Sequence, residues 1–112
     1  MLIEYTSNPS MLTLSPVAVK RLDLEDTIVD PYHSPQIQDL VNLDTLAELA
    51  QKLQDTTPDQ PVVEFDCHVR LDGQIKPVHL ICRALWTSEE PPEYTGAIGK
   101  MVEREEIKEE AQ

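Results

Sequence analysis

Residues 62–86, VVEFDCHVRLDGQIKPVHLICRALW, contain the clearest structural signal in the chain. From Val63 to Leu71, apolar side chains alternate with polar or charged ones, which predicts a strand with one buried face. Asp72-Gly73 supplies the residues that a two-residue type I′ turn requires, and a second strand follows as far as Trp86. This stretch therefore predicts an antiparallel hairpin with one apolar face.

The predicted turn also fixes how the two strands pair. Phe65 then faces Leu80 and Cys67 faces Val78, so both pairs lie on the apolar face. At the rise of a strand, Cys82 lies roughly 13 Å from the position opposite Cys67. A disulfide bond requires Cα atoms within ~7 Å. We therefore expect two separate, reduced thiols in the core.

The N-terminal part of the chain predicts two strands and a helix. Residues 2–6 and 11–14 predict short strands on either side of an Asn-Pro-Ser turn. Ser15-Pro16 then predicts a helix with a serine N-cap and a proline in its first turn, ending near Leu22. Residues 23–33 are polar and broken by a proline, and they predict no strand.

A longer helical region follows the second Ser-Pro pair, Ser34-Pro35. Apolar residues recur there at helical spacing, with a break near Asn42 or Asp44, either of which would cap the second part. After the hairpin, residues 95–102 predict a last strand. Residues 103–112 are helical by propensity. We therefore expect one domain over residues 1–102 and the start of a linker helix over 103–112.

The composition excludes several classes of protein. The chain has 112 residues, which corresponds to one domain. Its net charge of −12 repels phosphate backbones and anionic lipids, so we expect no binding to nucleic acid or to a membrane. No apolar run approaches the ~18 residues of a membrane span, and the N-terminus lacks the features of a signal peptide. We expect a cytoplasmic location.

The order of the predicted elements and several residue patterns resemble the PAS family. Residues 11–22 resemble its second strand and first helix, and Asp30-Pro31 resembles the region before its long helix. Residues 63–75 are similar to its charged hairpin around a central Asp-Gly, and residues 96–99 to the glycine pattern of its last strand. The resemblance implies an α+β fold: a five-stranded antiparallel sheet, short helices on one face and a C-terminal signalling helix.

The resemblance also implies a function. PAS domains sense a small ligand or cue, or dimerise, and control an attached kinase, diguanylate cyclase or transcription regulator. No such output domain occurs within these 112 residues. One alternative is a ligand-free dimerisation module of the same fold. Another is a small α+β enzyme of the cystatin-like barrel type, with ionisable groups in its cavity. The sequence has no Gly-rich phosphate loop, nucleophile–base spacing or metal-ligand motif, so we expect no enzymatic activity.

Three departures from the family pattern bear on this function. The helical region after Leu22 is short, which predicts a small cavity. Glu103-Arg104-Glu105 stands where the family often has Asp-Ile-Thr, so the usual coupling to an output domain is altered. We also expect no helix before the first strand, which would leave the outer face of the sheet uncovered.

Two sets of residues are candidates for binding. A cavity between sheet and helices would be lined by Leu14, Val19, Leu40, Leu49, Phe65, Cys67, Leu80, Ile98 and Trp86. Ordinary core packing is the alternative for each of them, and Trp86 would either close one end of the cavity or anchor its strand. On the outer face an apolar patch predicts a homodimer interface through Val62, Ile81 and Leu85.

The residues do not fit two cofactors of the family. Its photoactive flavin site requires a cysteine in an Asn-Cys-Arg setting on a helix, whereas Cys67 and Cys82 lie on predicted strands. Its haem sites often use a histidine on the longer helix, but residues 35–55 contain none and His33 only precedes them. The identity of any cofactor or ligand stays open.

One polar cluster is a weak candidate for a metal site. In the predicted register His79 faces Asp66, with His68 diagonal to it on the polar face. Two histidines and one carboxylate are zinc ligands. Because no fourth ligand or supporting residue is evident, a solvated His–Asp pair across the strands is the preferred interpretation.

Overall fold

The computed structural model describes residues 1–104, and it places all of its strands in one antiparallel sheet. The elements in chain order are β1 (Leu2–Ser7), β2 (Ser10–Leu14), α1 (Pro16–Leu22), β3 (Thr27–Val29), a 3₁₀ turn (Pro31–His33), α2 (Pro35–Leu40), α3 (Leu43–Gln54), β4 (Val62–Leu71), β5 (Gln74–Trp86) and β6 (Tyr94–Glu103). The strands lie side by side in the order β3-β2-β1-β6-β5-β4. Within the described part of the chain, no helix has the length and apolar character needed to cross a membrane.

The hairpin of β4 and β5 has the predicted register. Phe65 pairs with Leu80 and Cys67 with Val78. Asp72 and Gly73 both have positive φ angles, 53° and 83°, as a type I′ turn requires. The two cysteines are free thiols. The alternation of the sequence and the chemistry of the turn agree on one pairing, which explains why this part of the fold was predictable.

The sheet has six strands rather than the five that the sequence predicted. The additional strand, β3, pairs with β2 at the sheet edge. It contains one buried residue, Ile28, between the exposed Thr27 and Val29. A strand of three residues is too short to show a recognisable alternation of apolar and polar side chains. The acidic residues around it also made the segment resemble a loop.

The helices begin where the sequence predicted. Ser15 caps α1, and its side chain accepts a hydrogen bond from the Ala18 backbone N–H at 3.4 Å. The helical region breaks between α2 and α3, where the Asn42 side chain accepts from the Asp44 N–H at 2.7 Å. Asn42 is therefore the cap, and Asp44 lies in the first turn of the helix.

The pairing of β6 with β5 ends close to Pro77, which has no N–H to donate to a neighbouring strand. The last pair is Val78 with Glu103, and the Arg104 N–H then donates to the Pro77 carbonyl oxygen at 2.9 Å. Glu103 is thus the last residue of β6, one residue past the predicted end of the strand. The rest of the predicted linker helix, residues 105–112, lies outside the described residues.

The core lies between the inner face of the sheet and the helices. Leu71 and Val78 are its largest fully buried side chains. Helix α1 contributes Ala18 and Leu22, and the later helices contribute three further buried residues, Ile37, Leu40 and Leu53. Burial of these aliphatic groups is the main stabilising contribution in a chain with few aromatic residues.

Candidate functional site

A cavity of about 140 Å³ lies between the sheet and the helices and is partly open to solvent. Its walls come from the inner face of the sheet on one side and from the helices and the 3₁₀ turn on the other. All of its lining residues are uncharged, and most are aliphatic. An engineered apolar cavity of about 150 Å³ binds benzene. This cavity therefore has room for a molecule of roughly that size.

Six of the nine residues predicted to line a cavity do so in the structure: Leu14, Leu40, Leu49, Phe65, Cys67 and Leu80. They come from β2, α2, α3, β4 and β5, and the fold brings them together from distant parts of the sequence. Their contact with a ligand stays a prediction.

The other three predicted residues lie elsewhere. Ile98 is 41% exposed on the outer face, because Ala97 and Gly99 are the residues of β6 that face the cavity. Val19 is half-buried against the core but does not line the cavity. Trp86 anchors its strand: its indole N–H donates to the Thr56 hydroxyl at 3.1 Å.

Sequence reasoning missed several lining residues. Leu46 and Leu53 follow the same helical spacing as Leu49, so that pattern held the signal that would have found them. Tyr5 and Tyr32 had no such signal. Their rings meet edge to face, with centroids 5.5 Å apart, and only the fold brings β1 and the 3₁₀ turn together.

The polar groups of the cavity are neutral. Burial raises the pKa of Cys67 to about 11, and it also raises the pKa of the Cys82 thiol. Both cysteines are therefore protonated at neutral pH and are poor nucleophiles. Burial likewise raises the pKa of the Tyr32 phenol above its ordinary value. The Tyr5 hydroxyl lies 3.3 Å from the Ser10 hydroxyl, within hydrogen-bond distance.

The outer face of the sheet carries a charged cluster around His79. Its Nδ1 lies 2.6 Å from Asp66 Oδ1 and its Nε2 lies 2.9 Å from Glu64 Oε1. The hydrogen bond with Asp66, followed by that with Glu64, raises the pKa of His79, and the His79 contact lowers the pKa of Asp66. Because both acceptors are carboxylates, the arrangement favours an imidazolium that donates from both nitrogens.

The predicted metal candidate does not form. His79 contacts Asp66 and Glu64, whereas His68, which pairs with Pro77, makes no hydrogen bond to this cluster within residues 1–104. No group of three or more His, Cys, Asp or Glu side chains within residues 1–104 is positioned to hold a metal ion.

The predicted apolar patch lies on the same outer face. Val62 and Ile81 are 48% and 40% exposed, whereas Leu85 is half-buried. Charged residues alternate with the apolar ones: Val62 pairs with Arg83, and Ile81 lies between Glu64 and Lys100. The face is therefore a mixture of apolar, basic and acidic side chains and not a continuous apolar surface.

An ion-pair network joins the first helix to the end of the last strand. Arg21 of α1 lies 2.8 Å from Asp72 in the β4–β5 turn and 2.6 Å from Glu103 at the end of β6. Lys76 lies 3.3 Å from the other oxygen of Glu103. The hydrogen bonds with Arg21 lower the pKa values of both Asp72 and Glu103. These contacts tie three elements together near the point where the described chain ends.

Comparison with known proteins shows a shared fold. No protein-family model matches the sequence, and no curated protein matches it significantly. Among solved structures, the chain is similar to a sensory box histidine kinase/response regulator from Burkholderia thailandensis E264. The TM-score is 0.61 at 18% sequence identity, and the match covers 91% of this chain and 74% of the other. This chain therefore has the fold of that sensory box protein.

Proposed function

We propose that this chain is a sensory or regulatory domain of the PAS type, without enzymatic activity, and that its cavity binds a small uncharged molecule. The observation that carries the proposal is the apolar cavity between sheet and helices. The fold that it shares with a sensory box histidine kinase/response regulator supports a sensory role. Ligand binding would then shift the conformation of the domain and so control an attached kinase, diguanylate cyclase or transcription regulator.

The lining of the cavity limits the chemistry of its ligand. Burying an ionised group without a partner of opposite charge costs several kcal/mol. The cavity offers no such partner, because none of its lining residues is charged. The ligand is therefore neutral, and its body is apolar. The same absence of Asp, Glu, His, Lys and Arg from the lining argues against the cystatin-like enzyme, whose catalytic residues would converge in the cavity.

The Arg21 network provides a route from the cavity to the C-terminal end of the domain. Leu22 lines the cavity, and its neighbour Arg21 holds Glu103 at the end of β6. A shift of α1 on ligand binding would therefore move the end of β6. From there the chain continues into residues 105–112, where an output domain would be attached.

Native mass spectrometry of protein purified from cells tests the proposal. We expect an additional small mass that disappears on denaturation. The Leu49→Trp variant should lose it, because the larger side chain on α3 fills the cavity. Ala47→Trp is the matched control, because Ala47 is exposed on the same helix and does not line the cavity. Equal native and denatured masses for the wild type would contradict the proposal, as would loss of the ligand from both variants.

Homodimerisation through the outer face is a second candidate function, with a second copy of this chain as the partner. The chain carries a net charge of −12, so two copies repel each other over most of their surface. The outer face of β4, β5 and β6 carries charges of both signs among exposed apolar side chains: Arg83, Lys100, Glu64, Asp66, Val62, Ile81, Ile98 and Val102. Opposite charges can pair across such an interface while the apolar groups are buried.

The mass in solution tests this interface. Sedimentation equilibrium should give twice the monomer mass of 12.7 kDa for the wild type and one monomer for Ile81→Glu. Val17→Glu is the control, because Val17 is 58% exposed on α1, away from the sheet. A monomeric wild type would refute the interface, and so would a dimer that Ile81→Glu leaves intact.

A further inference from the structure

Two of the hydrogen-bonding side chains that line the cavity, Tyr5 and Tyr32, form a ring pair at its wall. Tyr5 lies on β1 opposite Ala97 of β6, and Gly99 follows on the same face of that strand. These two small residues leave space above the sheet, and Tyr32 approaches that space from the 3₁₀ turn. Cys82, which pairs with Gly99, also lines the cavity there. The two tyrosines thus bring phenol hydroxyls to a lining that is otherwise mostly apolar.

Within the described part of the chain, the Tyr32 hydroxyl lacks a protein hydrogen-bond partner. The Tyr5 hydroxyl has Ser10 within hydrogen-bond distance, but within residues 1–104 the Tyr32 hydroxyl makes no side-chain or backbone hydrogen bond. Tyr32 is half-buried, and burial is the main cause of its raised pKa, so its hydroxyl is partly desolvated. A desolvated hydroxyl without a partner is unfavourable, and a ligand that supplies the partner relieves this cost.

We propose that the ligand of this cavity is a neutral molecule of about the size of benzene that carries one hydroxyl or carbonyl oxygen, and that Tyr32 hydrogen-bonds to this oxygen. The apolar body of the ligand lies against Phe65, Leu80 and Met101, which line the same cavity. Tyr32 then determines specificity, because it distinguishes such a molecule from a hydrocarbon of the same shape. This inference rests on the proposed function, because it names the chemical class that the sensory cavity accepts.

Phenol and toluene are suitable probes, because they have nearly the same shape and differ by a hydroxyl and a methyl group. Titrations of each into the ¹⁵N-labelled full chain, followed by NMR, give a dissociation constant for both. We expect Tyr32→Phe to raise the ratio of the phenol constant to the toluene constant about 5-fold, within the range of one net hydrogen bond. Tyr94→Phe is the control: it removes the hydroxyl of a half-buried tyrosine that does not line the cavity, and it should leave the ratio unchanged.

The outcomes separate this inference from the proposed function. Suppose that toluene binds and that Tyr32→Phe leaves the ratio of the phenol to the toluene dissociation constant unchanged. This result would overturn the role of Tyr32, although the cavity would still bind apolar molecules. Failure of both probes to shift the resonances of cavity residues in the wild type would overturn the proposed function as well. A measurement on the wild type alone gives a second check. Phenol, but not toluene, should shift the ¹³C resonance of the Tyr32 Cζ atom, and equal shifts from both would overturn the hydrogen bond.

Discussion

Truncation of Leu80 should cost less stability than truncation of Leu71, although both are buried leucines of the same hairpin. Leu71 is 0% exposed and does not line the cavity, whereas Leu80 is 6% exposed and borders it. A side chain beside an empty space has fewer neighbouring atoms on that side, so it loses fewer contacts when it is removed. The comparison therefore reports whether the cavity exists in solution.

The expected magnitudes follow from the two environments. Leu→Ala substitutions in cores cost about 2.7–5.0 kcal/mol, and the cost increases with the new cavity that remains. The transfer of three carbon groups alone accounts for about 2.4 kcal/mol. We therefore expect Leu80→Ala to lower the free energy of unfolding by about 2–3 kcal/mol and Leu71→Ala by about 4 kcal/mol.

Urea denaturation followed by circular dichroism measures both values, with the slope of the transition as a check on two-state unfolding. The enlarged cavity of Leu80→Ala should also bind toluene more tightly than the wild type does, whereas Leu71→Ala should not. A loss for Leu80→Ala that equals or exceeds the loss for Leu71→Ala would refute the reasoning, because Leu80 would then be fully packed.

Two further predictions concern the sheet. Gly96 has a φ of 151°, and a Cβ atom there would overlap the Tyr5 carbonyl oxygen of β1, so Gly96→Ala should cost at least about 2 kcal/mol in urea denaturation. Gly99→Ala should cost less, because the tightest contact of its Cβ would be with the Cys82 sulfur at 3.0 Å; equal losses would contradict the close approach of β1 and β6. The pKa of His79 should lie above its ordinary value of 6.5, because Asp66 and Glu64 accept hydrogen bonds from the ring. While the carboxylates are ionised, this contact contributes fully below pH 6.5, and its contribution is lost as the pH rises through the raised pKa of His79. The stabilities of wild type and His79→Asn should therefore differ more near pH 6.5 than at a pH above the raised pKa of His79. If Asp66→Asn leaves the pKa of His79 unchanged in an NMR titration, the contact with Asp66 is not the cause of the shift.

The hairpin was predictable because two independent signals agreed. The alternation of apolar residues defined which face is buried, and Asp72-Gly73 defined the turn, so only one register satisfied both. The caps at Ser15 and Asn42 were predictable for a similar reason, since a local side-chain hydrogen bond to the backbone needs no tertiary information.

The features that the sequence did not reveal depend on contacts between distant residues. Ile98, predicted to line the cavity, lies on the outer face, and the small Ala97 and Gly99 of the same strand face inward and make the space. Tyr5 and Tyr32 meet only because the 3₁₀ turn folds back over β1. Neither the periodicity nor the composition of the sequence predicts that these two tyrosines lie close together.

The ion pairs of Arg21 were also beyond sequence reasoning. Three separate segments contribute these residues: Arg21, Asp72 and Glu103. Within its own segment, each residue has the pattern of an ordinary surface charge. They come together because β5 and β6 are neighbours in the sheet. The β4–β5 turn and the end of β6 therefore both lie within reach of Arg21 on α1.

The most direct test of the central proposal is to locate a small neutral molecule inside the domain. We would record intermolecular nuclear Overhauser effects between toluene and the methyl-labelled full chain. The proposal predicts contacts from toluene to the methyl groups of Leu14, Leu49 and Leu80, which line the cavity from three different elements. Contacts confined to exposed methyl groups such as those of Val17 and Val29, or no contacts at all, would contradict it.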